Sequence, residues 1–193
     1  MYRTALSQVS ESERLRRAEL QHKLAETLLP QQRGDEAIAL RRAALTLLEE
    51  RNDRGGKQVR LNILLGLMDA LYYQLQAEVM AELAEQTQAL LDEIGTAMQQ
   101  AHFYTQLNQM ALIKERYLLS AETVTLIRKA LTHAQEAGNT WQITHQHFGL
   151  GFNLLWHGDL AGAEAALQET LALAGKLGDR WTQTQCLVYL TIL

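Results

Sequence analysis

A segment of about 40 residues recurs along the chain, and this recurrence constrains the fold more than any other feature. Residues 130–141, ALTHAQEAGNTW, align with residues 170–181, TLALAGKLGDRW, so that Leu, Ala, Gly, Asn or Asp, and Trp recur in order. Weaker copies place the equivalent polar residue at Asp53 and Thr96. A fixed period of this length indicates repeated structural units, each packed against its neighbours in sequence.

Each repeat contains two stretches with the apolar spacing of an amphipathic helix. The first stretch is clearest at Leu64, Leu67, Met68 and Leu71, and the second at Ala163, Leu167, Thr170, Leu171 and Ala174. The chain has one Pro, and most of its 12 Gly lie between these stretches. Because Pro and Gly are the main helix breakers, this distribution predicts an all-α fold of antiparallel helix hairpins.

The predicted first and second helices alternate along the chain. First helices are expected near 12–29, 55–75, 98–117, 140–157 and 180–193, and second helices near 35–51, 77–94, 120–137 and 160–177. Asp35 and Asp159 are placed to cap the helices that follow them. We expect one domain over 1–193, with partial repeats at 1–10 and 180–193 and whole repeats at about 12–53, 54–96, 97–139 and 140–179. Both ends resemble interrupted repeats, so we expect a fragment of a longer array.

Composition excludes several classes of function. The formal net charge is −4, which argues against nucleic-acid binding by this segment. No stretch approaches the apolar length of a membrane span, and the N-terminus lacks the apolar region of a secretory signal. Cys186 stands alone, so no disulfide framework is expected and a reducing, cytoplasmic location is predicted.

Residues 147–179 resemble the tetratricopeptide repeat. The matching positions are Leu150-Gly151, Leu154, Gly158-Asp159, Ala163 and Leu167, while Thr170 replaces the usual small Ala. Units of about 40 residues that close with Leu-Gly-Asp-Arg-Trp, longer than the usual 34, are similar to the arrays of large bacterial signalling proteins. These include LuxR-family activators with a signalling ATPase, and cyclase or adaptor proteins with an ATPase core. The resemblance implies a right-handed superhelical solenoid of about four repeats that acts as a sensor or partner-docking arm.

The sequence offers no set of residues that predicts catalysis, a metal ion or a cofactor. His145 and His147 are two residues apart, and on a helix their side chains point about 200° away from each other. They therefore cannot share one ion. Neighbouring carboxylates on a helix also diverge, and no hydroxyl has a His and an Asp placed to activate it. We predict that the chain is not an enzyme.

In the repeats that this sequence resembles, the first helices line a concave groove. Transferring their register predicts groove-facing residues on three helices: His145, Phe148, Phe152, Leu155 and Trp156; Asn62, Leu65, Asp69, Tyr72 and Tyr73; and Thr105, Asn108, Leu112, Glu115 and Arg116. Such a groove suits a peptide or an amphipathic helix. Alternatively, the aromatic residues of the fourth helix pack on the next first helix at Val188 and Ile192. Trp141 and Trp181 are expected to wedge adjacent hairpins together.

Three functions are compatible with these patterns. The first is a non-catalytic protein-interaction scaffold, the partner-docking region of a larger bacterial signalling or transcription-regulatory protein. The second is a small-molecule effector sensor, which would need an enclosed apolar pocket with convergent polar groups. The third is a self-association module, in which copies meet through the uncapped ends, including the 181–193 helix.

Overall fold

A computed structural model describes residues 1–10 and 12–193, and this part of the chain is helical with no β-strand. Its α-helices are α1 (Tyr2–Gln8), α2 (Arg14–Leu28), α3 (Gly34–Thr46), α4 (Arg54–Tyr73), α5 (Ala77–Ile94), α6 (Ala97–Glu115), α7 (Ala121–Glu136), α8 (Thr140–His157), α9 (Leu160–Leu177) and α10 (Arg180–Leu190). A short 3-10 turn, Leu29–Gln31, follows α2. The all-α prediction is confirmed, and each predicted helix is present. Only α3 and α10 end several residues before the predicted limit.

The chain divides into two compact units, unit 1 (Met1–Gly95) and unit 2 (Thr96–Leu193). Within unit 1, each helix from α1 to α5 packs against the next, and α2 also contacts α4. Within unit 2, each helix from α6 to α10 packs against the next, and α8 also contacts α10. Both units are therefore built from hairpins whose first helices touch each other as well as their own partners.

The recurring polar residues of the sequence begin the helices. The side-chain oxygens of six residues accept a hydrogen bond from the backbone N–H three positions later: Asp53, Thr96, Ser120, Asn139, Asp159 and Asp179. Each such cap stabilises a helix by about 1 kcal/mol. The prediction for Asp35 is wrong, since α3 begins one residue earlier at Gly34. Asp35 lies in the first turn and instead accepts a hydrogen bond from Gln74 Nε2 at 2.5 Å.

Small residues set the spacing between paired helices. In unit 2, a core of Val124, Leu154, Ala163 and Ala166 fills the space between α7, α8 and α9. A Cβ at Gly151 would lie 2.8 Å from Leu167 Cγ, so only glycine lets α8 approach α9 this closely. In unit 1, buried alanines play the same part beside larger apolar residues: Ala18, Ala44, Leu48 and Ile63 form one cluster, and Leu24, Ala25, Leu28 and Ala37 another.

Candidate functional site

Five aromatic rings in unit 2 form one connected group, which we call the aromatic cluster: Tyr117, Phe148, Phe152, Trp156 and Tyr189. Phe152 lies at its centre, with its ring centroid 6.1 Å from those of Tyr117 and Trp156. The centroid of Tyr189, on α10, is 5.2 Å away, and that of Phe148 is 6.4 Å away. Several of these pairs meet edge to face, the geometry that aromatic quadrupoles favour.

The cluster has a half-buried base and an exposed rim. Phe148, Phe152 and Trp156 are four residues apart on α8, so they lie on one face of the helix. Phe148 and Phe152 are half-buried, whereas Trp156 is 42% exposed and Tyr117 is 45% exposed. No Asp, Glu, Lys or Arg occurs anywhere in α8. The helix that carries Phe148, Phe152 and Trp156 is therefore free of these charged residues, whereas exposed Arg116 precedes Tyr117 in the chain.

The turn between α6 and α7 carries Tyr117 to the cluster. Arg116 and Tyr117 both have left-handed backbone conformations, with φ of 49° and 64°, which cost energy in residues other than glycine. Two hydrogen bonds anchor the end of this turn to α8. The N–H of Leu119 donates to the Trp156 carbonyl at 3.4 Å, and His157 Nδ1 donates to the Leu119 carbonyl at 2.7 Å.

Glu115 fixes the other side of this turn. Its carboxylate accepts hydrogen bonds from the Ser120 N–H at 2.7 Å, the Ser120 hydroxyl at 2.8 Å and the Thr123 hydroxyl at 2.7 Å. Burial acts to raise the pKa of Glu115, but the hydrogen bonds from Thr123 and Ser120 outweigh burial and lower that pKa. The carboxylate therefore stays ionised and holds the start of α7, so Glu115 is committed to structure.

The other predicted residues of α8 lie outside the cluster. His145 Nε2 is 3.7 Å from Asp179 Oδ2, and its ring centroid is 4.0 Å from that of Trp141. Burial lowers the pKa of His145, and the charge of Asp179 acts in the opposite direction. Leu155 is half-buried and packs on the core between α7 and α9. The structure thus brings together three of the five residues predicted on this helix.

The predicted groove residues of α4, in unit 1, do not form one exposed surface. Leu65 is buried, because it falls among the apolar residues that cover most of α4. Asp69 is half-buried and its charge acts on Arg41 of α3. Asn62 and Tyr73 are exposed, and the half-buried ring of Tyr72 lies 5.4 Å from that of Tyr73. Only part of this set is available to a partner.

Asn108 of α6 is also buried rather than groove-facing. Its amide Nδ2 donates to Asn153 Oδ1 at 2.6 Å and to the Thr123 carbonyl at 3.1 Å. Asn153 Nδ2 in turn donates to Asn108 Oδ1 at 3.3 Å and to the Gly149 carbonyl at 2.8 Å. We call these two residues the amide pair; it links α6 to α8 and occupies the position where the sequence predicted a binding residue.

The rest of the α6 set is divided between the interior and the surface. Leu112 is buried, and Thr105 donates from its hydroxyl to the Ala101 carbonyl and to Gln146 Oε1. Arg116 is exposed and lies next to Tyr117. Of this set, Arg116 alone lies beside the aromatic cluster in sequence.

The alternative prediction was that the aromatic residues of α8 pack on the next first helix. It is correct for the helix that they contact but not for the residues of that helix. Phe148 and Phe152 do meet α10, yet their ring partner is Tyr189, whereas Val188 and Ile192 are exposed. The expectation for the two recurring tryptophans is wrong. Trp141 is 51% and Trp181 69% exposed, so neither indole is enclosed between adjacent hairpins.

Sequence reasoning missed a polar group in unit 1, which we call the charged cluster: the buried side chains of His22 and Arg41 with the half-buried side chain of Asp69. Arg41 is 1% exposed, and its Nε and Nη1 have no hydrogen-bond acceptor within the described residues. Burial lowers the pKa of Arg41, while Asp69 opposes that shift. A Cβ at Gly66 would lie 2.9 Å from Arg41 Nε and 3.0 Å from His22 Cε1, so α4 lies directly over both side chains.

Unit 1 also has a surface cavity of about 430 Å³ between α2 and the end of α3. Its lining residues are Arg14, Arg17, Thr46, Leu47, Glu49 and Glu50. Most of these side chains are charged, whereas small-molecule pockets are lined mainly by apolar groups. The cavity therefore does not favour the effector-sensor hypothesis.

Neither metal ligation nor a membrane span is evident in the described ranges, 1–10 and 12–193. No three His, Cys, Asp or Glu side chains there are grouped to hold a metal ion. No helix in the same ranges is long and apolar enough to cross a membrane. No protein-family model and no curated protein matches this chain.

Proposed function

We propose that the chain is a non-catalytic binding scaffold of the tetratricopeptide kind, and that the aromatic cluster of unit 2 docks a peptide or an amphipathic helix. The observation that supports this proposal is the pairing of two half-exposed rings with an uncharged helix. Trp156 and Tyr117, with centroids 5.8 Å apart, rest on the half-buried ring of Phe152.

The composition of this surface fits the centre of a protein interface. Aromatic residues are enriched and charged residues depleted in such centres, and Trp and Tyr dominate the residues that contribute most to affinity. The exposed part of each ring is apolar area that a partner would remove from water, at roughly 25 cal/mol per Å². Recognition at the cluster would therefore rest on apolar anchors instead of ion pairs.

The construction of the site also favours binding, because its parts are held in place before a partner arrives. The turn that carries Tyr117 is tied to α8 by Leu119 and His157, and to α7 by Glu115. A surface that does not reorganise loses less entropy on association. The strained backbone at Arg116 and Tyr117 is of the type found at ligand sites.

The exposed rim of the aromatic cluster, Trp156 and Tyr117, indicates which kind of side chain a partner would present. A helix that presents one aromatic or large aliphatic side chain toward Trp156 and Tyr117 would cover both rings, with further apolar residues one turn away. In a larger bacterial signalling or transcription-regulatory protein, such a surface would serve as a docking arm. This wider role rests on the resemblance of the repeats.

Selection from a displayed library of random peptides tests the proposal directly. We expect recovered peptides to share aromatic or large aliphatic anchors and to lose at least tenfold in affinity for Trp156→Ala and for Tyr117→Ala. Trp141→Ala is the matched control, since it removes an indole that is 51% exposed, against 42% for Trp156, from the other end of α8 and should leave affinity unchanged. Far-ultraviolet circular dichroism checks that each variant is folded.

Two outcomes would overturn the proposal. The first is that no peptide is recovered, or that recovered peptides bind Trp156→Ala as well as the original chain. The second is that Trp156→Ala unfolds unit 2, which would assign the exposed indole to the core. Tyr117→Ala then provides the independent variant, because Tyr117 lies in a turn outside the helices.

A further inference from the structure

His157, the last residue of α8, joins that helix to the turn that carries Tyr117. Its Nδ1 donates to the Leu119 carbonyl at 2.7 Å, and the Leu119 N–H donates to the Trp156 carbonyl at 3.4 Å. Leu119 is buried, whereas His157 is exposed and directly follows Trp156 in the chain. The imidazole therefore lies at the junction between the two elements that carry the exposed rim of the aromatic cluster.

The hydrogen bond to Leu119 determines which nitrogen of this imidazole carries the proton. A carbonyl oxygen only accepts hydrogen bonds, so Nδ1 of His157 is the protonated nitrogen of the neutral ring. Nε2 then carries a lone pair, and it has no hydrogen-bond partner among the described residues. Exchanging the roles of the two nitrogens would break the 2.7 Å hydrogen bond. Neutral His157 therefore presents an acceptor beside Trp156.

We propose that His157 determines the specificity of the aromatic cluster, by accepting a hydrogen bond at Nε2 from a neutral donor beside the apolar anchor of the partner. This role rests on the docking proposed above and adds a second element to the partner. A hydroxyl, a side-chain amide or an indole N–H supplies such a donor. The end of α8 strengthens the preference, because a helix C-terminus carries partial negative charge.

Charged partner side chains fit this position less well. A carboxylate has only acceptors, so it would face the lone pair of Nε2 and the negative end of α8. A Lys or Arg donates, but its charge would lose water beside the rings, which costs more than the burial of a neutral donor. Tyr and Trp each combine an apolar ring with one donor. Either residue in the partner therefore serves as anchor and donor together.

The tautomer is measured by long-range proton–nitrogen NMR of the imidazole rings, at about pH 8, above the range in which an ordinary imidazole titrates. The signals of His157 are those that disappear in His157→Asn. We expect a proton on Nδ1 and none on Nε2. A neutral ring that carries its proton on Nε2 would overturn the proposed role of His157, whatever the affinity measurements give.

The peptides selected on the aromatic cluster test the acceptor itself. We expect a neutral donor beside their apolar anchor, and its replacement by an apolar isostere, such as Phe for Tyr, should lower affinity about tenfold. His157→Asn keeps an amide N–H in place of Nδ1 but has no acceptor in place of Nε2. The tenfold difference between the two peptides should disappear in this variant. His133→Asn is the matched control, since the imidazole of His133 contacts Glu136 of α7 at 2.8 Å, and there the difference should persist.

The outcomes separate this role from the docking on which it rests. Peptides that depend on Trp156 but carry no donor, or whose donor matters equally in His157→Asn, would overturn the role of His157 and leave the docking in place. Failure to recover any peptide would overturn the docking, and the role of His157 with it. Far-ultraviolet circular dichroism checks that His157→Asn is folded, and the NMR measurement on the original chain does not depend on that variant being stable.

Discussion

Unit 1 buries a charged side chain, whereas unit 2 buries neutral amides. In unit 1, Arg41 lies under α4 beside His22, with Asp69 and Glu26 as opposing charges. In unit 2, Asn108 and Asn153 exchange hydrogen bonds and also satisfy two backbone carbonyls. A buried charge depends on its counter-charge, while a closed set of neutral hydrogen bonds does not. The two units therefore differ in which buried polar interactions their stability depends on, although their hairpins are similar.

The difference extends to composition and to the location of candidate binding surfaces. Unit 2 holds nine of the 12 aromatic residues, and it has 13 charged residues against 27 in unit 1. It also contains most of the exposed large apolar side chains. Aromatic surface that is poor in charge is what protein interfaces require at their centres. This contrast explains why the aromatic cluster, the proposed docking surface, falls in unit 2.

The largest expected effect comes from removing the counter-charge in unit 1. Asp69→Ala removes the larger of the two carboxylate charges that favour the buried Arg41 cation, the smaller being that of Glu26, and we expect a loss of about 3 kcal/mol in the free energy of unfolding. Arg41→Met, which replaces the guanidinium with an apolar side chain, should be far less costly. Urea unfolding followed by far-ultraviolet circular dichroism measures both variants.

The matched control for this pair is Glu82→Ala, which removes an exposed carboxylate from α5 in the same unit. It should change stability by less than about 0.5 kcal/mol. All three Trp belong to unit 2, so Trp fluorescence reports the unfolding of that unit. If Arg41→Met and Asp69→Ala lower the free energy of unfolding equally, the arginine stabilises unit 1 by packing. The contrast between a buried charge in unit 1 and neutral amides in unit 2 would then not hold.

Acid should weaken unit 1 through His22. Burial lowers the pKa of His22 to about 4 from its ordinary 6.5, with Glu26 and Asp69 opposing this shift and Arg41 and Lys23 adding to it. The unfolded chain then binds more protons between these two values. The contribution of neutral His22 to the free energy of unfolding is fully present above about pH 6.5. It is lost as the pH is lowered, by up to about 3 kcal/mol near pH 4.

Comparison with His22→Gln isolates this contribution, because carboxylates also titrate in the same range. The difference in urea midpoint between the two proteins should change on going from pH 7 to pH 4.5, with the original chain losing more stability. In unit 2, burial also lowers the pKa of His145, but its side chain is nearly one-third exposed and lies beside Asp179. Trp fluorescence should therefore report a smaller acid effect there, and an equal effect would remove the distinction between the units.

The helices could be predicted because recurring capping residues in the sequence mark where the helices begin. Asp53, Thr96, Asn139 and Asp179 recur at steps of 43, 43 and 40 residues, and each caps the helix that follows it. Capping is local, since a side chain bonds the backbone three residues away. For the same reason, the position of α8 and α9 could be read to the residue.

The site could be predicted only in part, because it depends on helix rotation and on turn geometry. Successive residues of a helix differ by 100°, so a small error in the transferred register moves Leu65 or Asn108 from the groove into the interior. Tyr117 reaches the cluster through a left-handed turn for which the sequence carries no glycine signal. Nothing in the sequence around Arg41 or Asp69 indicates that the two charges meet, since they lie on different helices.

The smallest expected change in stability comes from substitutions in the amide pair of unit 2. Asn108→Leu or Asn153→Leu alone breaks the hydrogen bonds between the two amides and removes the side-chain donor of one backbone carbonyl, that of Thr123 or of Gly149, and each should cost about 2 kcal/mol. The double variant removes both amides and fills the same space with apolar groups, so it should be more stable than either single variant. Urea unfolding followed by Trp fluorescence measures these changes in the unit that contains every Trp. If the losses of the two single variants add in the double variant, the amides do not act as a pair. Single substitutions would then destabilise the buried polar groups of unit 2 as much as those of unit 1.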